Sequence, residues 1–245
     1  MAILLALIPC VIATTLLFAL ALSRLTPAWW VSVYAIAPEA AAQAERLEAA
    51  AMAQASLVRP GAKDGAVWRS EVWSVSLSES DANAWLGERL PRWVESRGNE
   101  IRWPAAVRGV RVVFREGAIW LGAQVRESEG GDASAQSIVS VGLTPRVDEG
   151  GRLWFSASSV DVGRLSMPPM VLRSARRDPG GSMLVPDSMS RRPDLAPLID
   201  VLMGAVPAAA DPVMSLGDGR RVRLLSMRVR DGRLELTCRT EAVIR

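Results

Sequence analysis

The side chains able to do chemistry are few in this chain. It has no histidine in 245 residues, which removes Ser-His-Asp and Cys-His arrangements and every histidine-bearing zinc site. Its two cysteines are Cys10 and Cys238. Cys10 lies in an apolar run, so the two are not expected to pair, and one remaining thiol is too few for a thiolate zinc site. Cys238 falls in step with Leu234 and Leu236, the placement of a buried structural thiol. Walker-type and dinucleotide fingerprints are absent. The carboxylate pair Asp148-Glu149 flanks Gly150-Gly151 in what reads as a turn, where acidic residues are ordinary. No catalytic residue, metal ligand or cofactor site is therefore assigned, and a non-enzymatic role is expected.

Charge excludes a further class. The 29 basic and 26 acidic residues leave a formal charge of +3. Lys63 is the only lysine, and the arginines are spread through expected strands and loops rather than gathered on one face. Nucleic-acid binding needs such gathering, so no nucleic-acid partner is expected.

The elements that would position any site begin with Ile3 to Leu22, an uncharged apolar run of 20 residues. In helix this rises about 30 Å, the thickness of a bilayer's hydrocarbon core. A transmembrane anchor over residues 1–25 is expected, making the chain a single-pass membrane protein. The rival is a cleaved signal peptide with Ala19-Leu20-Ala21 as its processing site, but Met1-Ala2 carries no basic side chain and the run exceeds the usual 7–15 residues. Trp29, Trp30 and Tyr34 suit the membrane interface, where amphipathic rings are enriched. The alternative is an aromatic cluster folded into the domain. Arg24 argues for a cytoplasmic carboxyl side, yet an exported, extracytoplasmic body is the preferred reading.

Residues 26–63 form a juxtamembrane segment with an Ala-rich helix from Pro38 to about Leu57, built of strong helix formers. Leu47, Met52 and Leu57 make only a thin apolar stripe on it. The helix is expected either as a stalk or laid against the domain, and Arg59-Pro60-Gly61 ends it.

Residues 64–245 are expected to be one α+β domain. Val67 to Leu77 reads as a strand. Ser78-Glu79-Ser80-Asp81 has capping-box spacing, and Ala82, Trp85, Leu86, Leu90 and Trp93 recur at helical steps until Pro91 breaks or kinks the last turn. Three strand-turn-strand units follow. Val110, Val112 and Phe114 turn through Glu116-Gly117 into Ile119, Leu121, Ala123 and Val125. Val139, Val141 and Leu143 pass through residues 148–151 to Leu153, Phe155, Val160 and Val162. Leu225, Met227 and Val229 turn through Asp231-Gly232, a strong hairpin signal, into Leu234 and Leu236. Arg173 to Pro193 reads as an exposed loop, either solvated or touching anionic headgroups. Asp194 opens a second helix with Leu195, Leu198, Ile199, Leu202 and Met203 on one face, closed by Gly204 and Pro207.

Three stretches carry a resemblance. Ser76-Leu77-Ser78-Glu79-Ser80-Asp81-Ala82-Asn83-Ala84-Trp85-Leu86 is similar to the opening of bacterial single-pass proteins whose exported domains are grouped with the tubular lipid-binding fold. Val160-Asp161-Val162-Gly163-Arg164-Leu165-Ser166-Met167-Pro168 resembles the element after their central hairpin, and Val229 to Leu236 resembles their last hairpin. The resemblance implies a long, curved antiparallel sheet wrapped on a helix, an apolar groove for acyl chains, and no catalytic residue to transfer; the expected fold is thus one α+β domain with a curved antiparallel sheet packed against two or three helices. Asn83 is the one residue of these stretches with no evident packing reason, since asparagine is unfavourable inside helices.

Two functions follow. The first is a membrane-anchored, non-catalytic domain that binds a lipid or another apolar ligand between sheet and helices. Trp85, Leu86, Trp93, Phe114, Leu198 and Leu202 are its candidate lining residues, although the tryptophans serve equally as core anchors. The second is a bitopic scaffold that docks a protein partner at the membrane through the Ala-rich helix or an open sheet edge.

Overall fold

The computed structural model describes residues 17–30, 39–96, 107–126, 136–170 and 200–243. In chain order the elements are α1 (Ala40–Ser56), β1 (Gly61–Asp64), β2 (Val67–Ser70), β3 (Trp73–Ser78), α2 (Glu79–Glu88), α3 (Leu90–Ser96), β4 (Val107–Arg115), β5 (Ala118–Arg126), β6 (Gln136–Val147), β7 (Leu153–Val162), β8 (Leu165–Met167), β9 (Val213–Ser215), β10 (Arg221–Arg230) and β11 (Arg233–Val243). The chain is α+β, with antiparallel strands and few helices.

The strands divide into two sheets, where the sequence reading expects one. The first runs β1-β2-β11-β10-β9, with β3 also paired to β11, and the second runs β4-β5-β6-β7-β8. The division has a local cause. The outer edge of β4 is taken by side chains of α2 instead of a strand. The Asn83 amide donates to the Val112 carbonyl at 2.8 Å, and its oxygen accepts the Val112 N–H at 2.8 Å. One turn earlier, Glu79 Oε2 accepts the Phe114 N–H at 3.0 Å. Asn83 thus pairs with β4 as a strand residue would, which accounts for an asparagine inside a helix. The two sheets then meet at a corner formed by their hairpin turns. There Gly117 N–H donates to the Val229 carbonyl at 3.1 Å and Gly232 N–H to the Phe114 carbonyl at 3.0 Å, with Arg230 paired to Glu116 at 2.8 Å.

The three expected hairpins form. In the second sheet an apolar row crosses all five strands, Val112 opposite Leu121, then Val141, Val160 and Met167. The expected strand Val67–Leu77 is divided into β2 and β3, both on β11. The pairs Glu241 with Arg69 and Cys238 with Trp73 show the register slipping by one residue across Glu71-Val72, as in a bulge. The buried core joins Ala82 of α2, Val112 and Phe114 of β4, Val229 of β10 and Leu234 of β11, with Leu77, Leu86, Leu121 and Leu236 packed against them.

The capping expectation holds at α2. Ser78 is its N-cap and its hydroxyl accepts the Asp81 N–H at 3.1 Å. The hydroxyl also donates to the Asp81 carboxylate at 2.6 Å. The helix ends before Arg89, and Pro91 lies in the first turn of the separate α3, where its missing N–H costs no helical bond.

Residues 17–24 are helical, and Leu17, Phe18 and Leu20 on them are 67%, 65% and 50% exposed. Among the described residues no helix is long and apolar enough to cross a membrane; residues 3–16 of the expected span lie outside them. The end of this helix is clasped by the β7–β8 turn. Arg164 N–H donates to the Leu22 carbonyl and its Nε to the Thr26 carbonyl, each at 2.9 Å. A Cβ at Gly163 would stand 2.2 Å from the Ser23 carbonyl oxygen, so only glycine permits the approach. Trp30 is buried, and a Cβ at Gly122 of β5 would stand 2.5 Å from the Trp29 ring and 2.9 Å from the Trp30 ring. Both indoles therefore lie on the second sheet, the folded-in placement. Tyr34 lies outside the described residues, as do residues 173–193 and residues 194–199 of the expected second helix. Residues 200–202 are helical, and Gly204 follows with φ +65°.

If Asn83 seals β4, Asn83→Leu lowers the unfolding free energy by about 2–4 kcal/mol, the loss of two paired backbone groups. Urea unfolding of the full chain in detergent measures it. Asn83→Asp has the same shape but sets a carboxylate oxygen against the Val112 and Glu79 carbonyls, to which the Asn83 amide donates at 2.8 and 2.9 Å, so it is destabilised as well. A wild-type midpoint for the Asp variant refutes the pairing role.

Candidate functional site

The small side chains of α1 decide where it lies and what remains beneath it. Ala40 and Ala44 are buried with Ala84 of α2, an alanine contact that lets the two helices approach closely. At the other end Ala55 is buried with Val222 and Cys238. The helix is thus laid against the domain. Two side-chain ties add to this: Trp85 Nε1 donates to Glu48 Oε1 at 2.9 Å, and Arg89 pairs with the other Glu48 oxygen at 3.4 Å.

Between its two docked ends α1 roofs a half-open cavity of about 790 Å³, within the usual range for small-molecule sites. Its floor is the exposed side of the core, chiefly Val112 and Phe114 of β4, Leu121 of β5, Val75 and Leu77 of β3, and Leu236 of β11. One wall is α2 through Ala82, Trp85 and Leu86. The roof is Leu47, Ala50 and Ala51, with Gln43, Arg46 and Gln54 along the rim.

Trp85, Leu86 and Phe114, expected as lining residues, are brought together here. Trp93 is on α3, 45% exposed, and does not line the cavity. Leu202 is half-buried and lies away from it, and Leu198 is outside the described residues. Nothing in the sequence marks the roof residues, because alanines at three- and four-residue steps carry no hydrophobic contrast. Leu47 was visible as part of a thin stripe. Leu121 and Leu236 were visible as inward strand positions, with nothing to separate them from ordinary core.

The reactive side chains take structural roles. Burial pushes the Cys238 thiol up from its ordinary value, opposed in part by nearby Arg59. Glu241 is buried at 5% exposure and faces Arg223 at 3.0 Å, Arg221 at 3.4 Å and Arg69 at 3.8 Å, so its charge is compensated within the first sheet. Arg223 in turn is pushed up by its bond to Glu241 and by its pairing with Asp211. Asp148 staples the β6–β7 hairpin, accepting the Arg152 N–H at 2.9 Å, Arg152 Nε at 2.9 Å and Trp154 Nε1 at 2.8 Å.

No family model matches the chain, nor does any curated protein or solved structure.

The Arg152 backbone N–H and the Trp154 indole hold the Asp148 carboxyl down, from 3.8 to about 2. A carboxyl depressed by folding contributes stability above its unfolded value and loses it as pH falls through the folded one. The Asp148 side-chain carboxyl carbon resonance is therefore expected to remain that of the ionised form at pH 3. A midpoint near 4 shows the staple is not held.

Proposed function

We propose that this protein binds a lipid or comparable apolar ligand in the cavity beneath α1, without catalysis, while held at a membrane by its N-terminal apolar helix. The observation that carries the reading is the cavity: about 790 Å³, floored by core residues and roofed by alanines. An apolar core left unfilled forfeits the contacts its lining side chains would make, and an apolar ligand restores them. The exposed Leu17, Phe18 and Leu20 support the tether, being large apolar side chains with half or more of their surface uncovered among the described residues. The clasp at Leu22 and Thr26 would then hold the domain close to the bilayer. The three sequence stretches that resemble tubular lipid-binding proteins point to the same ligand class, and an extracytoplasmic body is the orientation proposed with it.

The scaffold reading ranks second. Its strongest support is the outer edge of β1, which pairs with no further strand among the described residues and is exposed along its length. That edge is only four residues and carries Lys63 and Asp64, the short, charged kind that resists strand addition.

Lipid extraction and mass spectrometry of the full chain, purified in mild detergent, are expected to return a bound amphiphile at near-stoichiometric level. Leu47→Trp, which fills the roof, is expected to lower that occupancy at least fivefold while leaving the urea midpoint within error. A lipid-free wild type, or unchanged occupancy in Leu47→Trp, counts against the cavity as the site.

A further inference from the structure

The rim of the cavity narrows the class of ligand, an inference that rests on the ligand-binding reading above. Gln43 and Gln54 both line the space. The 11 residue steps from one to the other span about 16 Å of helix rise, a length suited to an extended chain rather than a compact ring system. Arg46 stands toward one end of that span.

The polar side chains of α1 and α2 around the opening are nearly all occupied by the protein itself. The Gln43 amide donates to Ser80 Oγ at 2.9 Å and to Asp81 Oδ1 at 2.8 Å. Gln54 accepts from Arg59 at 3.1 Å. Glu48 is held by Trp85 and neutralised by Arg89. Asp81 takes the Ser78 hydroxyl and lies in the first turn of α2, where the unpaired helix amides offset its charge. Arg46 is different. Among the described residues it makes no hydrogen bond and no ion pair, and it is exposed where it lines the cavity. Its five N–H donors form a planar fork that fits an oxyanion in bidentate fashion.

We infer that the cavity takes an amphiphile with an anionic head, a carboxylate or phosphate, seated on Arg46, with its apolar chain running beneath α1 toward Gln54. An uncharged or cationic head would leave the guanidinium with water alone, and a cationic one would be repelled.

The test is native mass spectrometry of the delipidated full chain, released from non-ionic detergent and offered an equimolar mixture of hexadecanoate, hexadecyl phosphate, hexadecanol and hexadecyltrimethylammonium. Adducts of the two anions are expected to exceed the alcohol adduct at least fivefold, with the ammonium weakest. Their ratio to each other tells whether carboxylate or phosphate is the better head. Arg46→Gln is expected to erase the preference while retaining the alcohol adduct, and Arg46→Glu to shift it toward the ammonium. Equal anion and alcohol adducts on the wild type, or a preference that survives Arg46→Gln, overturns the headgroup assignment and leaves the cavity reading standing. Absence of all four adducts overturns both.

Discussion

The pairing of one side chain with one strand governs the architecture. β4 would otherwise be an edge with a row of unpaired N–H and C=O groups, which must be satisfied somewhere. Asn83 and Glu79 satisfy three of them from α2, the Val112 N–H and carbonyl and the Phe114 N–H, and this has three consequences. No strand can add to β4, so the sheet ends there and a second one forms. The helix is held beside the strand edge, so its Ala82, Trp85 and Leu86 face the gap between sheets. And Ala84, on the far side of α2, becomes the surface on which α1 lies.

From that follows an incomplete core. A helix with Leu or Phe at its inward positions would have filled the space over Leu77, Leu121 and Leu236. α1 instead brings Leu47 with Ala50 and Ala51, and alanine reaches too short a distance to fill it. Its buried alanines at positions 40, 44 and 55 dock the two ends, so the helix spans the gap without collapsing into it. Helical propensity forms α1, alanine contacts hold it, and the short side chains between leave room for an occupant.

How much of this could be read beforehand depends on the range of the interaction involved. The hairpins at Glu116-Gly117 and Asp231-Gly232 were legible because alternation and turn chemistry lie within a few residues of each other. The same is true of the Ser78 cap and the break near Pro91. Of the site, the large residues Trp85, Leu86 and Phe114 stood out, since a bulky apolar side chain on a periodic face must bury against something. Trp93 fits the same rule on paper yet is 45% exposed, because α2 ends at Arg89 and Trp93 falls on the separate α3. The partner of Asn83 was invisible, lying 29 residues downstream on a strand whose edge status depends on sheets not yet formed.

From its residues alone this chain sets the α+β class, the alternating strands and their tight turns, an apolar N-terminal run, and a scarcity of reactive groups. These depend on local backbone preference and composition, which need no knowledge of what lies opposite. The division into two sheets, the seat of α1 and the cavity beneath it were settled only in three dimensions. Each depends on which surfaces meet across long stretches of chain, and an alanine face or a half-buried leucine looks the same in sequence whether it touches protein or empty space.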